Sequence, residues 1–174
     1  MQTVLRTVDR VSQAAGLFAV LLVVGIVVLI IAEVLCRTFF NLSLSFAWEY
    51  SAYFLGMAIF LGAAFTLRTG GQVRVAFLTT SRNPRLARTS EFFATVFGVG
   101  VTCYLAYALV LFAWQAYTAG STSFTVVAVP LVYPTSGIAV GAVLLALQMI
   151  VRLIRLLIGD PPDDQDAMRS YSVE

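Results

Sequence analysis

The chain has 174 residues, of which 60% are hydrophobic and only 11% are charged. A water-soluble domain carries about 25% charged residues, so this composition excludes an ordinary soluble fold and favours a bilayer as the solvent. The sequence has no histidine, and all eleven of its basic residues are arginines. It therefore lacks the usual haem ligand, the commonest metal ligand and any lysine for a Schiff base. We expect an all-α integral membrane protein that is not an enzyme and binds no cofactor.

The N-terminal part of the chain predicts a surface segment followed by a first span. Val4, Val8, Val11 and Ala15 recur at helical spacing, which indicates a short amphipathic helix over 1–15 lying on the membrane surface. The apolar stretch 14–36 is long enough to cross about 30 Å of hydrocarbon. A signal peptide has a shorter apolar core and a small-residue cleavage site, so we expect this helix to be retained.

Three further apolar stretches predict spans at 47–67, 84–117 and 134–158. The third begins at an Asn83–Pro84 pair, a typical helix start, and the fourth is expected to stop at Gly159. The uncharged segment 118–133 is expected to lie extended over the membrane surface. Residues 1–159 then form one four-helix domain, and 160–174 form an acidic tail that we expect to be disordered.

The arginines predict which side of the membrane each end occupies. With four spans, ten arginines share one side and only Arg37 lies on the other. Because positively charged loops stay in the cytoplasm, both termini and the middle loop are expected there. The ten are Arg6, Arg10, Arg68, Arg74, Arg82, Arg85, Arg88, Arg152, Arg155 and Arg169.

Two carboxylates lie close to the hydrocarbon on the outer side, where ionisable groups are costly. Glu33 and Arg37 are four residues apart on one helix face, a favourable spacing for an ion pair, and Glu49 follows Trp48 at the start of the second span. We predict an outer cluster of these residues. Three roles stay open at this point: a clamp between the first two helices, a contact with a partner, or carboxylates solvated at headgroup depth.

Small residues and the middle loop supply the remaining candidate positions. Glycines allow helices to approach closely, so Gly56, Gly62, Gly137 and Gly141 are candidates for helix packing. The arginine-rich middle loop favours contact with anionic phospholipid headgroups over nucleic-acid binding. Its candidate residues for the cytoplasmic turn and for lipid or partner contact are Arg68, Gly70, Gly71 and Arg74.

Residues 37–75 carry a resemblance to a known family. The segments are Arg37 to Asn41 (Arg-Thr-Phe-Phe-Asn), Phe46 to Tyr50 (Phe-Ala-Trp-Glu-Tyr), Phe60 to Ala64 (Phe-Leu-Gly-Ala-Ala) and Leu67 to Val75 (Leu-Arg-Thr-Gly-Gly-Gln-Val-Arg-Val). They resemble the small membrane subunit of tripartite ATP-independent periplasmic (TRAP) transporters, the DctQ-like family. Gln72 stands where the family often has histidine, and Ala76 where it often has aspartate.

The resemblance implies a non-catalytic accessory subunit of a secondary transporter. In that family a larger membrane subunit binds sodium and an organic acid, and a periplasmic substrate-binding protein delivers the acid transiently. The small subunit packs on the scaffold of the large one, and docking of the periplasmic protein is a further role that the resemblance implies. Sodium is therefore expected on the large subunit and not on this chain.

Other classes of membrane protein fit the residues less well. A quinone-linked thiol oxidase needs paired reactive cysteines, and Cys36 and Cys103 lie at different predicted depths. A haem-binding anchor needs histidine. A self-assembling channel or small exporter, or an anchor subunit of another membrane complex, is the alternative that remains, although a channel should show a polar stripe along one helix.

Overall fold

The computed structural model describes residues 2–69, 84–123 and 128–158. In these residues the fold is all-helical, with α1 at Gln2–Phe40, α2 at Ser45–Arg68, α3 at Pro84–Thr118 and α4 at Val132–Ile158. Each helix is long and apolar enough to cross a membrane. The described residues contain no strand beyond one isolated bridge between Thr122 and Pro130.

α1 differs from the predicted surface helix followed by a span. It is one continuous helix of 39 residues, about 58 Å long at about 1.5 Å per residue. Its first turns face the other helices with their polar side: Asp9 is 8% exposed and Ser12 is fully buried, whereas Val11 is 45% exposed. The polar side chains of this segment thus contact α2 and α4, whereas its predicted place at the membrane surface stays a prediction.

The four helices lie in an open order with α2 and α4 in the middle. α2 packs against α1 and α4, α4 also packs against α3, and α1 makes a smaller contact with α4. Among the described helices, α3 packs on α4 alone. Within its most apolar stretch only 6% of the residues are buried, against 39% for α4. α1 and α3 are therefore the edges of the molecule.

The contacts between the helices are made largely by small side chains. One buried cluster joins Ala15, Ala19 and Leu22 of α1 to Ala58 and Leu61 of α2. A second joins Ala106 of α3 to two alanines of α4, Ala142 and Ala146. Because lipid tails are as apolar as leucine, packing at close range rather than burial of large side chains holds such helices together.

Two connections close one end of the molecule, which we call the loop end. The turn 41–44 joins α1 to α2, and Asn41 ends α1 in the left-handed conformation at φ +50°. The described parts of 119–131, between α3 and α4, pair with each other: the Ser123 N–H donates to the Val129 carbonyl at 2.8 Å, and the Leu131 N–H to that of Ser121 at 2.9 Å. The opposite end holds the beginnings of α1 and α3 and the ends of α2 and α4, and we call it the arginine-rich end.

Candidate functional site

A buried polar network at the arginine-rich end joins three helices through Asp9. The Asp9 carboxylate of α1 accepts a hydrogen bond at 2.6 Å from Nη2 of Arg155 on α4. Arg68, at the end of α2, donates to the Asp9 backbone carbonyl at 3.1 Å. Gln148 of α4 donates to the hydroxyl of Ser12 at 2.7 Å. We call these five residues the Asp9 network.

A second ion pair at the same end attaches the edge helix α3. Nη2 of Arg152 on α4 donates to Oε1 of Glu91 on α3 at 3.3 Å. The arginine side chain is only 10% exposed, so the pair lies largely inside the protein. Together with the Asp9 network, it connects all four helices at the end where the sequence concentrates its arginines. Charged groups held this way keep their hydrogen bonds without entering the hydrocarbon.

At the loop end, Glu33 and Arg37 form the ion pair that their spacing predicts. Glu33 also accepts a hydrogen bond at 2.6 Å from the backbone N–H of Leu44, the residue before α2, and one at 3.2 Å from Ser43. The carboxylate thus fixes the turn that joins α1 to α2. Of the three roles that the sequence left open for Glu33, this geometry is that of a clamp.

Glu49 belongs to a different contact from Glu33. It is buried, and its Oε1 accepts a hydrogen bond at 2.5 Å from the hydroxyl of Tyr53, one turn along α2. Tyr53 in turn has a side-chain hydrogen bond with Ser123, in the connection before α4. The single outer cluster predicted from the sequence is therefore two: Glu33, paired with Arg37, contacts the 41–44 turn, and Glu49 is linked through Tyr53 to Ser123 in the connection before α4. Trp48, beside Glu49, is 86% exposed and faces outward.

All four candidate packing glycines lie at helix–helix contacts within the chain. A Cβ on Gly141 would lie 2.9 Å from the backbone N of Leu61, so α4 touches the α2 backbone there. Gly56 and Gly137 also lie in the α2–α4 contact, against Ile138 and Met57 respectively. Gly62 faces Ala19 of α1 at an ordinary van der Waals distance.

Of the candidate residues of the middle loop, the structure describes only Arg68. Arg68 turns inward to Asp9, with a side chain that is only 13% exposed, so it contacts a helix carbonyl rather than lipid. Gly70, Gly71 and Arg74 lie outside the described residues, as do the predicted stop at Gly159 and the acidic tail 160–174.

The sequence analysis missed Asp9, Glu91 and Gln148. A signal for them was present: Gln148, Arg152 and Arg155 recur at helical spacing on one face of α4, an unusual run of polar residues in an apolar helix. Within the described residues, no three His, Cys, Asp or Glu side chains lie close enough together to hold a metal ion.

These observations define a multi-pass helical membrane protein in which the buried charges of the described residues bind the protein's own helices. Comparison with protein families matched residues 26–159 to the DctQ component of the tripartite ATP-independent periplasmic transporters. The match covers most of the chain, including the Glu33 clamp, α2 and both connections, and the chain belongs to this family. It is thus a small subunit of a TRAP transporter. Searches of curated proteins and of solved structures found no match.

Proposed function

We propose that this chain is the non-catalytic small permease subunit of a sodium-driven TRAP transporter for organic acids in a bacterial inner membrane. It packs on the scaffold of the large membrane subunit and stabilises it. Sodium and substrate bind the large subunit, and the periplasmic substrate-binding protein is a transient partner. Both termini and the arginine-rich end face the cytoplasm, in keeping with the positive-inside rule.

The open order of the helices is the observation that carries this proposal. The two edge helices present apolar faces that the other described helices leave uncovered. On α1, Val20 and Leu21 are 60% and 65% exposed, and on α3, Phe97 and Tyr104 are 75% and 74% exposed. A partner's helices can pack along either edge without displacing a contact inside this chain.

The buried charges support a scaffold role more than a transport role. The Asp9 network and the Glu91–Arg152 pair connect all four helices at one end, and the Glu33 clamp fixes α1 to α2 at the other. A subunit whose helices are held together at both ends stays rigid while a partner subunit moves against it. Docking of the periplasmic protein is assigned to the loop end, where Trp48 and Tyr133 are exposed.

Co-purification tests the proposed role. The tagged chain, expressed together with its neighbouring genes and extracted in mild detergent, should bring down a much larger membrane protein in constant ratio. Photo-crosslinkers at Val20 and at Phe97 should capture that protein from at least one edge, whereas a crosslinker at Ala142, which is 1% exposed, should capture none.

The alternative of a self-assembling channel or exporter predicts a different result. Crosslinks would then form only between copies of this chain, and no larger partner would appear. Uptake of a solute by this chain alone in liposomes would also overturn the accessory role.

A further inference from the structure

A groove opens between α1 and α2 at the loop end. Its volume is about 680 Å³. Glu33 and Arg37 lie at its mouth with Trp48, and apolar side chains, among them Ile30 and Leu55, line it further in. We call this the α1–α2 groove. It is distinct from the edge faces of α1 and α3, because it lies between two helices that touch closely elsewhere.

The groove is one leaflet deep. Along α1 its lining runs from Thr38 to Ile26, a rise of twelve residues or about 18 Å at about 1.5 Å per residue, which spans the headgroup boundary and one leaflet. Half of a hydrocarbon core of about 30 Å is about 15 Å. Beyond that depth the two helices close on each other, since the Phe54 ring lies 3.4 Å from where a Cβ on Gly25 would be. Below this point, Ala19 of α1 and Ala58 of α2 belong to one buried cluster.

The polar groups of the groove are at the headgroup end. The Arg37 side chain is 67% exposed, and a guanidinium has five N–H donors, of which Glu33 engages only part. Trp48, 86% exposed at the rim, adds an indole N–H. Ser51 is among the lining residues, but its hydroxyl oxygen is buried inside the protein and has no hydrogen-bond partner in the described part of the chain.

We propose that the α1–α2 groove holds one phospholipid. Its phosphate binds the outward N–H groups of Arg37, and one acyl chain lies along Ile30 and Leu55. Two observations support this assignment: the positive charge of Arg37 at the mouth matches a phosphate, and the depth of the groove matches a single leaflet. A transmembrane helix of a partner fits less well, because it would run past the midplane, where α1 and α2 leave no room.

The site is tested by native mass spectrometry of the full-length protein, with any large subunit that co-purifies, titrated with palmitoyl-oleoyl phosphatidylglycerol. Wild type should retain one tightly bound lipid. Ala52→Phe fills the groove and should weaken binding about tenfold or more, whereas Ala108→Phe, at an exposed alanine of α3, should leave it unchanged.

A second comparison separates the phosphate contact from a structural effect. Arg37→Gln should weaken phosphatidylglycerol binding about tenfold, the size of one hydrogen bond to a charged group, but should not change the binding of palmitoyl-oleoyl glycerol, which has no phosphate. A melting temperature like that of wild type would show that each variant is folded.

Two outcomes overturn the proposal. One is unchanged lipid binding by Ala52→Phe. The other is a photo-crosslinker at position 52 that captures the large subunit in place of lipid. The second result would make the groove a protein interface and leave the proposed accessory function standing.

Discussion

Asp9 is the residue on which the arginine-rich end depends most. Its carboxylate binds Arg155 of α4, and its backbone carbonyl binds Arg68 of α2. Removing the carboxylate leaves Arg155, whose side chain is 16% exposed, without its closest anion. Breaking one partner of a largely buried pair is costly, although hydrogen bonds in membrane proteins average below about 1 kcal/mol.

We therefore expect Asp9→Leu to lower the free energy of unfolding by about 1–3 kcal/mol. Unfolding in mixed micelles measures this. Arg10→Gln is the matched control, because Arg10 is the next residue on the helix and is exposed. The double variant Asp9→Leu with Arg155→Leu should recover part of the loss. Equal stability of Asp9→Leu and Arg10→Gln would show that the network contributes nothing.

Tyr53 links α2 to the connection before α4. Its hydroxyl donates to the buried Glu49, and Tyr53→Phe removes that donor while keeping the ring. We expect a loss of about 1–2 kcal/mol in the free energy of unfolding, because the carboxylate stays buried with one donor fewer. Tyr104→Phe, at a 74% exposed tyrosine, should cost almost nothing. Equal melting temperatures for the two variants would contradict this role.

Single residues were predictable where local spacing alone decides their contacts. The Glu33–Arg37 pair follows from a separation of four residues on a helix. Asp9 was missed because an amphipathic segment is normally assigned with its apolar side inward. In a membrane the cost of exposing a charge to lipid reverses that assignment, and Asp9 turns toward α2 and α4.

Helix bounds were predictable because hydropathy and length constrain them together. The predicted second span, 47–67, corresponds to α2 at Ser45–Arg68, and 134–158 corresponds to α4 at Val132–Ile158. The beginning of α1 was not predictable in this way, because periodicity places Asp9 on a solvated surface and the structure places it against α2 and α4. The contacts between helices also depend on the packing glycines. The sequence around a glycine does not identify the helix that it contacts.

The α2–α4 contact at Gly141 gives a sharp test of packing. A Cβ there would meet the α2 backbone at Leu61, which cannot rotate away as a side chain can. We expect Gly141→Val to cost about 1–3 kcal/mol in the free energy of unfolding, as overpacking usually does. Gly100→Val on α3 is the control, since nothing lies within 4 Å of its added Cβ. If both variants have the same melting temperature, the close approach of α2 and α4 does not contribute to stability.

At the scale of the molecule, the arrangement is a layer with α3 and α1 at its edges. The number of spans follows from composition, but their order in space does not, because each apolar helix is compatible with lipid on every side. The Glu91–Arg152 pair and the Asp9 network decide the order by bringing particular charges together. With four spans, the sequence assigns ten of its eleven arginines to the side of the arginine-rich end, and this distribution leads to the last prediction.

The arginine-rich end should face the cytoplasm, because positively charged segments resist translocation. In a background with Cys36→Ser and Cys103→Ser, a cysteine at Leu42 or at Ala119, both exposed in the connections of the loop end, should react with a membrane-impermeant maleimide in whole cells without an outer membrane barrier. Ser172→Cys, in the C-terminal sequence, should react only after the inner membrane is opened. If Ser172→Cys reacts with the maleimide in intact cells and Leu42→Cys does not, the orientation is the reverse of the predicted one. The proposed docking of the periplasmic protein at the loop end would then fail with it, whereas the contacts among the four helices would stand.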